Sequence, residues 1–223
     1  AAITFSEALE QADRAILFKT GAKEIGQRFG IMPSFMAKWS QAYPGCSGHI
    51  HQSLSDGSNS GKNNLFYDAK SPRRMSKLFE SYLAGQVACM MDFAPLIWPT
   101  INSYKRLVDG FWAPVKPTWG VDNRTASFRV IAGSPKATRL ETRCPGADVN
   151  PYLAIAASLA CGLLGIEEGL QPGAPEQGNA YKRPFALPGS LSDALERLER
   201  SDRLRALMGD RFVKIYSAMK RQE

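Results

Sequence analysis

Histidine is scarce in this chain, with two residues (His49 and His51) among 223, and cysteine is nearly as rare, with four. Cys46, Cys89, Cys144 and Cys161 are widely spaced and form no C-x-x-C pair, which argues against a zinc knuckle or a dithiol redox motif and fits reduced thiols in a cytoplasm. No apolar run reaches the ~18 residues of a membrane span. The most apolar stretch, Pro151 to Gly165, is short and rich in alanine, so no membrane partner is expected. The first residues, Ala-Ala-Ile-Thr-Phe, carry neither a basic segment nor an apolar core, and no signal peptide is expected. A long basic run and a helix-turn-helix pattern are also missing. The net charge of +7 is therefore assigned to a site for polyanionic small molecules, and no nucleic-acid partner is expected.

What is present reads as α+β. Ser6 is a candidate N-cap for a long helix ending at Gly30. Ile31 to Ala37 and His49 to Leu54 read as strands, the second entered through a Pro-Gly-Cys-Ser-Gly turn at 44–48. Ser71-Pro72 opens a helix predicted to run to about Phe93, with Pro95 and Pro99 as stops. Phe128, Val130 and Ile131 give the strongest strand signal, and Asn150-Pro151 begins a helix of small residues reaching Ile166. A Pro/Gly-rich connection from Gly169 to Pro188 leads into a charged helical tail, residues 191–223. The first helix lacks a preceding strand to pack on, and the tail stops at Glu223 without a cap, so an incomplete domain is expected.

Two segments concentrate chemistry. In a strand, residues two apart share a face, which places His49, His51 and Ser53 together, able to meet a divalent metal or a phosphate or simply solvent. Arg139, Glu141 and Arg143 repeat that spacing. A carboxylate between two guanidiniums stays ionised, whether as a hard-metal ligand or as an ion-pair partner. Arg106, Arg124 and Arg129 add guanidiniums suited to carboxylate or phosphate. Gly57 to Asn63 is not a P-loop: its glycines are too close and no Ser or Thr follows Lys62. Asn123-Arg124-Thr125 is a glycosylation sequon by letters alone.

In order, Gly48-His-Ile-His-Gln-Ser-Leu54, Asn102-Ser-Tyr-Lys-Arg-Leu107, Asp122-Asn-Arg-Thr-Ala-Ser-Phe-Arg129, Ser134-Pro-Lys136 and Arg139-Leu-Glu-Thr-Arg143, running into Asn150-Pro-Tyr-Leu153, resemble the glutamine synthetase superfamily. The resemblance implies the C-terminal part of its catalytic domain, a truncated half-barrel of antiparallel strands flanked by helices. It also implies a two-step ligation: ATP phosphorylates the carboxylate of glutamate, and ammonia or an amine attacks the acyl phosphate. Carried over, His49 and Glu141 match ligands of Mg2+ or Mn2+, and Arg106 and Arg143 match residues holding the acid. Arg124 and Arg143 match catalytic arginines, while His51, Ser53, Arg129, Lys136 and Arg139 match the nucleotide side. A homo-oligomer is implied for the full-length protein.

Three departures qualify that expectation. Trp112 stands where ammonia-using members carry a Glu, and Pro44 replaces a substrate-facing Asn. Neither the N-terminal β-grasp domain nor the paired-glutamate segments has an equivalent here, leaving one His and one Glu as metal ligands. These differences point toward γ-glutamyl-amide-forming relatives, with weak or no turnover by this chain alone. The alternative from another class is a structural or assembly protein of the lengsin type.

Overall fold

Asn150 starts the central helix. Its Oδ1 accepts from the backbone N–H groups of Tyr152 and Leu153, and Pro151 occupies the first turn, where a missing N–H costs nothing. The resulting helix α5 (Pro151–Glu167) packs against α2 (Lys77–Cys89). A methyl placed on Gly85 would stand 2.1 Å from the carbonyl oxygen of Cys161, and one on Gly165 would stand 2.2 Å from that of Ser81. The two helices touch backbone to backbone, which requires glycine at both positions. The computed structural model that shows this describes residues 1–57, 63–108, 113–114, 116–184 and 186–223. Trp112 and most of the Gly57 to Asn63 stretch lie outside the described residues.

Several sequence expectations shift locally. α1 (Ala8–Arg28) follows the predicted span, but Glu7 holds the cap position and Ser6 Oγ bonds Gln11 Oε1 instead. Residues 31–37 are not a strand. Ile31 gives its N–H to the Gly26 carbonyl and Pro33 has none to give, so no ladder can form. α2 starts at its Ser76 cap, later than Ser71-Pro72 predicts, because 71–75 turn back to pair Met75 with Tyr67. Pro95 does not merely end a helix; it sits in the first turn of the short α3 (Ala94–Ile97). Then follows α4 (Ile101–Tyr104), opened by a reciprocal Thr100–Ser103 capping box.

Four short strands form the sheet: β1 (Ile50–Gln52), β2 (Trp119–Val121), β3 (Phe128–Ile131) and β4 (Arg139–Thr142), in the order β1-β4-β3-β2. The β1–β4 and β3–β4 pairs are antiparallel as expected, whereas β2 and β3 run parallel. Three-residue strands span about 10 Å, short enough for residues 122–127 to carry the chain back to the start of β2. Phe128, Val130 and Leu140 turn one face of this sheet into the core, alongside Trp98, Phe79 and Phe93.

The charged tail proves integral to that core. α6 (Leu191–Arg200), α7 (Asp202–Met208) and α8 (Asp210–Lys220) bury Leu191, Leu195, Leu198, Leu204, Val213 and Tyr216 in the same cluster. Tyr216 Oη donates to the Pro95 carbonyl at 2.7 Å. Among the described residues, no helix is long and apolar enough to cross a membrane.

Candidate active site

The face of the sheet opposite the core carries the charge. Register places His51 beside Glu141 across β1–β4, and Arg129 beside Glu141 across β3–β4, so the three form one row. Strand alternation explains why: Arg129 lies between buried Phe128 and Val130, and Glu141 follows buried Leu140.

Glu141 is the hub. Its Oε1 accepts from Arg143 Nη1 at 2.7 Å and from His49 Nδ1 at 2.9 Å, and His51 Nε2 stands 3.9 Å away. Its Oε2 accepts from Arg129 Nη1 at 3.1 Å. The carboxylate is 3 % exposed. Burial by itself would push its pKa up. The His49 hydrogen bond, the Arg143 and His49 charges and the Arg129 hydrogen bond outweigh burial and hold it at about 2. Glu141 is therefore ionised at neutral pH and offers a hard oxygen without first releasing a proton.

The two imidazoles are set in opposite senses. His49 donates through Nδ1, so in its neutral ring Nε2 carries the lone pair. His51 accepts through Nδ1 from Arg139 Nε at 3.0 Å, which leaves Nε2–H as a donor. Desolvation lowers the His51 pKa more than the Glu141 charge raises it, with Arg139 and His49 adding to the fall, so this ring stays neutral.

Arg106 lies deepest, 2 % exposed, and its Nη1 donates to the Cys144 carbonyl at 2.8 Å. The same oxygen accepts from Trp98 Nε1 at 2.8 Å. Arg129 is braced from the other side by Asp122 at 2.8 Å, a residue at φ +50° on the β2–β3 turn. Asp122 is not among the candidates that the sequence nominates; its place two residues before Arg124, within a turn of Asp, Asn and Thr, was the available signal.

The structure thus joins His49, His51, Arg129, Arg139, Glu141 and Arg143 in one network, with Arg106 behind Arg143. Ser53, just past β1, Arg124 on the β2–β3 turn and Lys136 on the β3–β4 turn are exposed at its perimeter and enter none of these bonds. Pro44 is exposed on the loop before His49, whereas the adjacent Gly45 packs on Arg106: an added methyl would come within 2.8 Å of Arg106 Cγ.

Fit to ligands can be judged from unused capacity. Arg129 Nε and Arg143 Nε are buried without a hydrogen-bond partner among the described residues, as is the hydroxyl of Tyr181. These donors suit an oxyanion such as a carboxylate or phosphoryl group. For a divalent cation the site supplies His49 Nε2 and the Glu141 carboxylate. No group of three or more metal-ligating side chains occurs among the described residues, so further ligands would have to come from elsewhere.

Comparison with known proteins places this chain in a family. Residues 1–223 match the model "Glutamine synthetase, catalytic domain". The chain is 50 % identical to Type-1 glutamine synthetase 2 of Dictyostelium discoideum, covering 100 % of this chain and 43 % of that relative. It is 43 % identical to the glutamate–isopropylamine ligase of a Pseudomonas species, over 98 % of this chain and 48 % of the relative. A solved structure of GmaS in complex with ADP superposes with a TM-score of 0.87 at 33 % identity, covering 99 % of this chain and 52 % of that one. The chain spans about half the length of the curated relatives it matches. With the motif order and the small open sheet flanked by helices in agreement, the chain belongs to the glutamine synthetase family, as the C-terminal part of its catalytic domain.

Proposed function

We propose that this chain carries the anion-stabilising half of the active site of a cytoplasmic, ATP-dependent glutamate–amine ligase, whose intact form is a homo-oligomer. The observation that carries the reading is the Glu141 hub: an ionised carboxylate between two guanidiniums whose Nε donors are unused among the described residues. Arg106 and Arg143 hold glutamate through its carboxylate. His51, Ser53, Arg129, Lys136 and Arg139 face the nucleotide. Arg124 and Arg143 offset the negative charge that spreads over the γ-phosphoryl oxygens as the acyl phosphate forms, and ammonia or an amine then displaces phosphate. His49 and Glu141 would hold Mg2+ or Mn2+, which when bound supplies Lewis-acid screening of the ATP phosphates. The relatives include both a glutamine synthetase and an amine ligase, and they favour a nitrogen nucleophile without choosing its size.

A second reading is a non-catalytic structural member of the family. One observation favours it: the Glu141 carboxylate already accepts from His49, Arg129 and Arg143. Calorimetry of ATP binding by the intact protein, with and without Mg2+ or Mn2+, separates the two. The ligase reading requires metal-dependent binding that is lost when His49 and Glu141 are both replaced by Ala. No binding by either protein moves the structural reading to first place.

A further inference from the structure

A strap of chain from Gly173 to Arg183 runs along the outer edge of β2. Trp119 Nε1 donates to the Gly173 carbonyl at 2.9 Å, and Glu176 N–H to the Trp119 carbonyl at 2.8 Å. Asn123 Nδ2 reaches the carbonyls of Glu176 and Gly178 at 3.1 and 2.9 Å, and Ala180 N–H donates to Thr125 Oγ1 at 2.8 Å. The strap is therefore buttoned to the turn that carries Arg124. It ends in a single 3-10 turn, Ala180–Lys182, capped by Asn179, whose Oδ1 accepts from Tyr181 N–H at 3.0 Å.

These bonds fix the position of Tyr181 on the strap. Its hydroxyl is buried and has no hydrogen-bond partner among the described residues. Burial raises its pKa, opposed by the charges of Arg143 and Arg106, so the phenol is protonated and lies within electrostatic reach of both guanidiniums. An orphaned buried hydroxyl is costly, and a ligand oxygen would relieve that cost. Two guanidiniums fix the sign of such a ligand, and a phenol O–H adds a demand for an acceptor at one defined point. A carboxylate, with about four lone-pair sites, can serve all three donors together. The charges that act on the phenol are those of nearly buried Arg143 and Arg106, and not those of exposed Arg124 or Lys136, so the phenol is assigned to the acid-holding end.

We propose that Tyr181 is a substrate-binding residue whose Oη donates a hydrogen bond to the glutamate carboxylate held by Arg106 and Arg143. The assignment rests on the ligase reading above. It gives the Pro/Gly-rich connection a role in recognition, because the strap then sets where the acid sits.

The test uses the intact protein and two variants, Tyr181→Phe and Thr125→Val. Glutamate-dependent ADP release and glutamate calorimetry are measured together with ADP affinity. Tyr181→Phe keeps the ring, so the expected result is a KM and Kd for glutamate raised about tenfold, with ADP affinity and unfolding midpoint unchanged. Thr125→Val, which removes the acceptor for Ala180 N–H, is expected to give a smaller rise in the same constants. Glutamate constants equal to wild type in Tyr181→Phe would overturn the assignment. So would a fall in kcat at unchanged glutamate affinity, which would place the hydroxyl on the phosphoryl group instead. Failure of the ligase reading has its own signature: wild type then releases no ADP in response to glutamate and an amine, and the assignment falls with it.

Discussion

The seam between α2 and α5 and the outer face of the sheet solve opposite problems a few residues apart. Along the seam, Gly85 and Gly165 bring two helix backbones into direct contact, and Tyr82 lies against Gly162 so closely that a methyl there would be 2.1 Å from its ring. Packing there is filled by backbone and ring atoms, and specificity comes from shape. On the sheet face, Glu141 gathers three donors while two guanidinium Nε atoms go unused among the described residues. Interactions there are charged and under-filled. The difference teaches where to look for chemistry in this fold: at unspent guanidinium donors held rigidly beside a close-packed seam.

That contrast can be broken by substitution. Glu141→Ala should have the largest effect, because it leaves Arg129 and Arg143 facing each other without their shared carboxylate. Breaking a buried pair in this way costs about 3–5 kcal/mol, read as a lower urea midpoint, and metal-dependent ATP binding should vanish with it. Gly165→Ala should cost about 1–3 kcal/mol through overpacking and leave the ADP affinity of the folded protein unchanged. An effect of Gly165→Ala on affinity would mean that the seam and the site are not separable. Asn150→Ala removes the cap of α5 and should cost about 1 kcal/mol by the same denaturation assay. The smallest effect is chemical. Burial pushes the Cys144 thiol up to about 12, with its Ser127 hydrogen bond and the Arg106 and Arg143 charges opposing only in part. A maleimide should label half-exposed Cys46 in the native protein well before Cys144, and equal rates would show that the floor of the site opens to solvent.

Sequence alone captured the features that repeat with a period or carry a cap. His51 and Glu141 meet because strand register pairs them, and His49 and Arg143, just past the strand ends, turn to the same carboxylate. Asn150-Pro151 is a cap signal with a local mechanism, and α5 begins there. Local pattern misled where tertiary bonds took the backbone elsewhere. The apolar 31–37 stretch has the composition of a strand, yet Ile31 spends its N–H on the end of α1, Pro33 has none, and Met36 gives its own to Ser34 Oγ. The parallel β2–β3 pair depends on residues 122–127 looping back, which no periodicity encodes. Tyr181 was hidden for the same reason. A lone aromatic in a Pro/Gly-rich connection gains meaning only when Asn123 and Thr125 fasten that connection to the sheet.

The Cys144 carbonyl has two lone pairs, and Trp98 and Arg106 take one each. The most deeply set cation of the site is therefore referenced to an indole of the core. Its thermal excursions should be those of a core atom, a fraction of an ångström. Heating the protein should then blur recognition late, at the temperature where the core loosens, instead of gradually as loops begin to fray.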